Sequence, residues 1–228
     1  MDTLLQFDGN LLIGIQRALN ADWLTPVMKA VTLLGENGIF WIVLCIALMI
    51  NKRTRRLGII CSYSLAFTFL CCNLIIKPLV DRTRPWVVFE AVHAFLPPPG
   101  DASFPSGHSA NSMAPAWILF YATRPVKRDG RKDYSEVPCL GWRNDGADPA
   151  LMHRIGIIAV VMAVLIGFSR LYLGMHFPTD VVCGLLLGMV CATVVYQAIR
   201  RAERRSGVLG SPARIDRIRK KMDREKDE

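Results

Sequence analysis

An arginine, a histidine and an aspartate crowd one short stretch, Ser169-Arg170-Leu171-Tyr172-Leu173-Gly174-Met175-His176-Phe177-Pro178-Thr179-Asp180, between two apolar runs. Ionisable residues are costly at the end of a membrane-grade apolar segment and need a reason to be there. His176 and Asp180 are four apart, a spacing that brings two side chains together at a helix start. Pro178 suits the first turn of that helix. An aspartate that accepts from one imidazole nitrogen leaves the other free to act as nucleophile or base. Taken alone, the stretch is explained equally well as a charged interfacial turn between two helices.

Two other clusters supply what it lacks. One is Lys77-Pro78-Leu79-Val80-Asp81-Arg82-Thr83-Arg84-Pro85, and the other is Pro105-Ser106-Gly107-His108 at the start of an apolar run. The three together hold two histidines, the aspartate, and the cations Lys77, Arg84 and Arg170. Phosphoryl transfer asks for this set, because charge builds on the equatorial oxygens and positioned cations and N–H donors stabilise it. Ser106, Gly107 and the N-terminus of the following helix offer such donors. One histidine can attack phosphorus while the other protonates the leaving oxygen. The side-chain cations would do the work of Mg²⁺, and no carboxylate cluster suited to Mg²⁺ is present, so neither metal nor cofactor is expected.

The elements carrying these clusters must bring them to one membrane face. The chain has 228 residues, 52% of them hydrophobic. The apolar residues come in long blocks, the distribution of a polytopic membrane protein. Residues 39–50, 57–76, 107–122 (with Pro115 as a kink), 155–173 and 181–199 read as spans. Gly184 and Gly188 lie four apart in the last and would allow close helix packing. Residues 4–35 are interrupted by Asp8, Gln16, Arg17, Pro26 and Lys29. They read as interfacial helices or one broken span. The net charge of +9 is also blocked. Basic connectors at 51–56 and 123–154 and the tail from residue 200 fall on one side, which the positive-inside rule makes cytoplasmic. Stations 77–106 and 169–180 therefore share the other face. The tail reads as a solvated charge run or a segment near anionic lipid, and no nucleic-acid partner is expected. The seven cysteines, Cys45, Cys61, Cys71, Cys72, Cys139, Cys183 and Cys191, form no CxxC pair and read as packing residues, with no disulfide framework. Met1-Asp2-Thr3 lacks a basic n-region, so no cleavable signal peptide is expected.

The ordered pattern Lys-x6-Arg-Pro, Pro-Ser-Gly-His and Ser-Arg-x5-His-x3-Asp is met by Lys77, Arg84 and Pro85, by Pro105 to His108, and by Ser169, Arg170, His176 and Asp180. It resembles the type 2 phosphatidic acid phosphatase superfamily of membrane lipid phosphatases. The resemblance covers residues 23–199, leaving 1–22 as an N-terminal amphipathic segment and 200–228 as a basic cytoplasmic tail. It implies an all-α, polytopic membrane bundle of about six transmembrane helices in the cell membrane, with the active site at the extracytoplasmic face. Residues 4–35 then supply the sixth span or lie flat. It further implies that His176 is the nucleophile that becomes phosphohistidine, that Asp180 orients it, and that His108 is the general acid and then the base for water. Lys77, Arg84, Ser106, Gly107 and Arg170 would hold the phosphate. The implied partner is a lipid phosphate in the bilayer, first undecaprenyl diphosphate, with phosphatidic acid and phosphatidylglycerophosphate as alternatives.

A non-catalytic lipid-phosphate binder or transporter would need only the cations, so the intact nucleophile, acid and aspartate favour an enzyme. Vanadate-dependent haloperoxidation, the chemistry of soluble relatives with a similar pocket, does not suit a chain of apolar spans. Arg82 stands off the pattern, and His93 and His153 are expected to face solvent. Trp86, Phe89, Phe95 and Phe104 are expected to form an aromatic rim near the headgroups.

Overall fold

Small residues decide how closely the helices approach. The computed structural model describes residues 3–19, 21–128, 131–133 and 148–205. Its helices are α1 (Thr3–Leu19), α2 (Leu24–Leu33), α3 (Ile39–Ile50), α4 (Arg55–Phe69), α5 (Lys77–Val80), α6 (Pro85–Val88), α7 (Gly107–Ala122), α8 (Pro149–Tyr172) and α9 (Pro178–Arg205). A 3₁₀ turn, Glu36–Gly38, precedes α3, and a π-helical stretch, Leu70–Ile76, joins α4 to α5. Two short antiparallel strands, β1 (Val126–Arg128) and β2 (Arg131–Asp133), form a ribbon after α7. The expected connector at 134–147, with Cys139, and the basic tail from residue 206 lie outside the described residues.

Helix α7 is the central post, packed by α4, α8 and α9. Its run of Ser, Ala and Pro leaves room on every side, and Ser109, Ala110, Ser112, Ala114, Ala116 and Ile118 are all buried. Glycines on its neighbours complete the fit. A Cβ on Gly156 of α8 would lie 2.6 Å from the Leu119 backbone, and one on Gly188 of α9 would lie 2.5 Å from the Ala110 carbonyl oxygen. Trp41 of α3 donates from Nε1 to Ser112 Oγ at 2.8 Å, tying α3 to the same post. The core around it holds Leu57, Ile60, Ile118, Leu119 and Ile166.

The outer faces are apolar as well. Ile158 on α8 and Val190 on α9 are about 60% exposed (63% and 60%). Helices apolar all round belong in a bilayer. Three are long and apolar enough to cross one: residues 55–88, α8, and most of α9. The pair α2 and Glu36–Ile50, bent by 40°, makes a fourth if it is one broken span. The chain is thus an all-α, multi-pass membrane bundle, and the expected six spans are met only to this extent. The shortfall has a plain cause: α7 has only 16 residues, and the 17 residues of α1 include Asp8, Gln16 and Arg17.

Chain direction sets up the two ends. The turn before α3, the π-helical stretch, the start of α7, the end of α8 and the turn before α9 all border one cavity. The basic Lys52, Arg53, Arg55 and Arg56 therefore lie at the other end, where Arg56 pairs with Glu203. His153 lies there too, but it does not face solvent as expected. It is only 9% exposed, stacked on Phe120 with ring centroids 5.1 Å apart and with Nδ1 3.5 Å from Thr123 Oγ1. The start of α8 packs against the end of α7 more tightly than its polar flank suggested.

The close approach at Gly188 makes a testable demand. Gly188→Leu is expected to cost about 1–3 kcal/mol through overpacking, read as a lowered Tm of the purified protein in detergent. Gly14→Ala, where nothing lies within 4 Å, is expected to leave Tm unchanged or raise it.

Candidate active site

A cavity of about 470 Å³ opens at the end of the bundle where the three motif clusters meet. Lys77, Arg84, Gly107, His108, Arg170 and His176 all line it. Local backbone explains how each arrives. The π-helical stretch shifts the angular phase of the residues after it, a device common at functional sites, and Lys77 comes next and is turned inward, 6% exposed. Asp81 then adopts a left-handed conformation (φ 44°) that ends α5 and turns the chain toward Arg84. Gly174, at φ 71°, makes the turn between α8 and α9. A Cβ there would lie 2.3 Å from the His93 carbonyl oxygen, so the position admits only glycine. The Ser106 N–H donates to the Asp180 carbonyl at 3.0 Å, which fixes the second motif to the third.

His176 is buried (1% exposed) between two kinds of partner. Its Nδ1 lies 3.6 Å from Asp180 Oδ2 and 3.5 Å from Ser103 Oγ. Its Nε2 lies 3.3 Å from Arg84 Nη1. A proton on Nδ1, directed at Asp180, leaves the Nε2 lone pair toward the cavity. Burial pushes the imidazole down to about 4, aided by Arg84 and Arg170 and opposed by the Asp180 contact. His176 is therefore neutral near pH 7, the form a nitrogen nucleophile requires.

Asp180 has no solvent exposure, and both its oxygens are held. Oδ2 accepts from Phe177 N at 2.9 Å and Ser103 Oγ at 2.5 Å, and Oδ1 accepts from Arg82 Nη1 at 2.6 Å. Across the cavity, His108 Nε2 lies 3.3 Å from Glu36 Oε2. The turn bearing Glu36 sits directly on the His108 ring: a Cβ on Gly35 would be 2.8 Å from His108 Cδ2. Each histidine thus has its own carboxylate.

Arg84 donates from Nη1 to the Met175 carbonyl at 2.8 Å. Arg170 donates from Nη1 to Thr32 Oγ1 at 3.0 Å, while its buried Nε has no partner among the described residues. Such a donor is costly to bury unless something else accepts from it. Ser106 departs from expectation. It does not border the cavity. Its hydroxyl caps α7, accepting from Ser109 N and Ser109 Oγ. Among the described residues no group of three His, Cys, Asp or Glu side chains is placed to hold a metal ion.

Several site residues escaped sequence reading. Asp101 bridges Lys77 and Arg84: one oxygen pairs with Lys77 Nζ, the other with Arg84 Nη2 at 2.5 Å, and its carbonyl accepts from Arg84 Nε at 3.0 Å. Burial works to raise its carboxyl, but the two cations outweigh that and hold it below the usual range. Asp101 thus places a carboxylate where two cations converge. A lone aspartate in a Pro/Gly-rich loop carries no spacing signal. Glu36, Ser103 and Arg82 had none either, since the first two sit outside any motif and the third lies off the pattern.

Two outcomes check this geometry. With ¹⁵N-histidine labelling in micelles, the His176 imidazole is expected to stay neutral from pH 8 to pH 5 and to titrate near 4. Because its folded value lies below the ordinary 6.5, the stability it contributes is complete above 6.5 and is lost as pH falls from there toward 4. Asp101→Asn removes the competing carboxylate, so binding of orthovanadate to the cavity, followed by calorimetry, is expected to tighten about tenfold, about 1.4 kcal/mol.

Known proteins resemble the chain in sequence and in fold. A family model described as the PAP2 superfamily matches residues 57–204. The chain is 32% identical over 170 residues to phosphatidylglycerophosphatase B of Bacillus subtilis, covering 74% of this chain and 71% of that protein. It is 28% identical over 148 residues to undecaprenyl-diphosphatase of Sulfolobus acidocaldarius, covering 65% of this chain but only 58% of that protein. The crystal structure of a transmembrane PAP2-type phosphatidylglycerolphosphate phosphatase from Bacillus subtilis superposes with a TM-score of 0.64 at 26% identity, over 88% of each chain. That of Aquifex aeolicus LpxE shares the fold, with a TM-score of 0.61 over 82% of this chain and 93% of that one, at 22% identity. With the match covering most of its length, the chain belongs to the PAP2 superfamily.

Proposed function

We propose that this protein is an integral-membrane phosphatase that hydrolyses a lipid phosphate or diphosphate through a phosphohistidine intermediate, without a metal ion. The observation that carries the reading is one cavity holding two carboxylate-partnered histidines and three buried cations, with His176 Nε2 directed into it. A binding protein would need only the cations.

In this mechanism Lys77, Arg84 and Arg170 hold the phosphoryl oxygens, with the backbone at Gly107 and the start of α7 as further donors. His176 Nε2 attacks phosphorus and a P–N bond forms as the P–O bond to the leaving group breaks. His108 gives its proton to the leaving oxygen. It then takes a proton from water as that water attacks the phosphohistidine, releasing phosphate and restoring His176. Asp180 stabilises the imidazolium character that grows on His176. Ser106 serves here by fixing the helix start, not by touching phosphate.

A second, apolar groove of about 460 Å³ supports a lipid substrate. Ile42, Ile46, Met49 and Leu65 line it, and it shares Asn37, Gly38, Phe69 and Asn111 with the phosphate cavity. A lipid whose headgroup enters the cavity can lay its chain there. Undecaprenyl diphosphate is our first substrate, supported by similarity to undecaprenyl-diphosphatases. Phosphatidylglycerophosphate is the alternative, favoured by the higher identity to the Bacillus phosphatase; phosphatidic acid is a further one.

In this reading α7 is a further crossing of the cell membrane, α1 lies flat at the cavity end, where Asp8 and Gln16 contact Thr179 and Tyr172, residues 23–199 form the phosphatase unit, and the cavity faces away from the cytoplasm. Lys52, Arg53, Arg55 and Arg56 at the opposite end favour that orientation.

Phosphate release from the three lipids by the purified protein tests the reading. Undecaprenyl diphosphate is expected to be the best substrate, and activity is expected to persist in EDTA. His176→Ala is expected to fall to background while its Tm is kept, and Asp180→Asn to lose roughly 100-fold or more. Hydrolysis by His176→Ala at the native rate, or loss in EDTA that a divalent ion restores, would overturn it.

A further inference from the structure

We propose that Asp8 and Arg82 are positioning residues for the nucleophilic histidine, forming with Asp180 a relay, Asp8–Arg82–Asp180–His176, anchored in the first helix. The proposal rests on the phosphatase reading above and adds to it a residue outside the 57–204 stretch that the family model matches.

The guanidinium of Arg82 is shared between two buried carboxylates. Nη1 donates to Asp180 Oδ1 at 2.6 Å and to Thr179 Oγ1 at 2.7 Å, and Nη2 donates to Asp8 Oδ2 at 2.7 Å. Asp8 is 1% exposed and closes the ring: it accepts from Thr179 N at 3.1 Å and from the Thr179 hydroxyl. The Arg82 guanidinium carbon lies 4.1 Å over the Phe177 ring, next in sequence to His176. Its carbonyl accepts from Ser103 N at 2.8 Å, and the Ser103 hydroxyl donates to the other oxygen of Asp180. Arg82 thus acts on both Asp180 oxygens, one directly and one through Ser103.

Helix α1 is built to bring Asp8 there. Gly9 lets it lie against Phe89, whose ring would be 2.3 Å from a Cβ at that position. Gln16, two turns on, bonds His93 O, His93 N and Tyr172 O.

The charge count explains why one arginine has two carboxylates. A buried Asp180 needs a partner, or its charge is too costly to keep. An arginine serving Asp180 alone would cancel the charge that His176 needs as it becomes cationic on P–N bond formation. Sharing Arg82 with Asp8 leaves one net negative charge in the group, facing the imidazole. The geometric consequence is equally direct, since an Asp180 held at both oxygens cannot swing away from Nδ1.

The test is rapid-quench, single-turnover formation of phosphohistidine from ³²P-labelled lipid substrate, together with steady-state kcat and KM. Arg82→Gln is expected to slow phosphohistidine formation and kcat about 100-fold with KM changed less than about threefold. Arg82→Lys, which keeps the charge, is expected to recover at least tenfold of that loss. Asp8→Asn is expected to lose about tenfold in kcat, and the double variant Asp8→Asn/Arg82→Gln to be no slower than Arg82→Gln, as for residues acting in one chain. Gly14→Ala, on the same helix with nothing within 4 Å, is expected to keep native kcat. If Arg82→Gln does not fold, by Tm, Arg82→Lys and Asp8→Asn carry the test alone. Native phosphohistidine formation in the folded Arg82 and Asp8 variants, losses confined to KM, or an equal loss in Gly14→Ala would overturn the relay. If His176→Ala is inactive while these variants are normal, only the relay falls; if His176→Ala is active, the phosphatase reading falls with it.

Discussion

A carboxylate with no solvent exposure survives only if surrounding groups replace the water it has lost. Asp180 meets that condition with a guanidinium, a hydroxyl and a backbone N–H on its two oxygens. Its own carbonyl also receives the Ser106 N–H, so the start of α7 is tied to the start of α9. Much of the architecture follows from keeping this residue satisfied. The loop carrying Ser103 must come in, α1 must dock to share Arg82, and α7 and α9 must approach closely enough for a backbone bond between them. The glycines of α9 permit that approach, for a Cβ at Gly184 would be 2.6 Å from the Ser106 carbonyl oxygen.

The cations show the same constraint from the other sign. Lys77, Arg84 and Arg170 are each no more than 6% exposed, at the end of a membrane bundle. Like charges gathered in one cavity repel, and each is costly to desolvate. Asp101 offsets two of them, Thr32 and Met175 accept from the arginines' N–H groups, and one Arg170 donor stays unmatched among the described residues. A site with this balance favours any dianion that can replace a single carboxylate and reach the unmatched donor. A phosphate or diphosphate headgroup is such an anion, and an apolar groove adjoins the cavity.

Legibility from sequence divides along a physical line. Residues whose chemistry repeats at fixed local spacing were readable: His176 with Asp180 one helical turn on, Lys77 with Arg84, and the Ser-Gly-His start of α7. Blocks of apolar residues likewise announced helices in a bilayer. Residues that act through contacts distant in sequence were not. Asp8 lies 74 positions from Arg82 and 171 from Thr179. Asp101 stands alone in a loop, and Glu36 reaches His108 across 72 positions. Nothing in local spacing separates them from ordinary polar residues at the ends of helices. Ser106 differs again, because its motif position suggested phosphate contact while in the structure its hydroxyl oxygen caps α7.

What the sequence by itself determined is the inventory and its order: a membrane bundle, three motif clusters at helix ends, and the residue types that phosphoryl transfer requires. Those are properties of composition and of short-range periodicity, which survive in one dimension. Only the tertiary structure decided which carboxylate serves which cation and which histidine. It also turned α1 from an ambiguous polar-interrupted segment into a support for Arg82, with Asp8 buried at the site. Pairing of buried charges is a three-dimensional matter. The cost of an uncompensated ion is settled by whatever packs within about 3 Å of it, and that neighbour can come from anywhere in the chain.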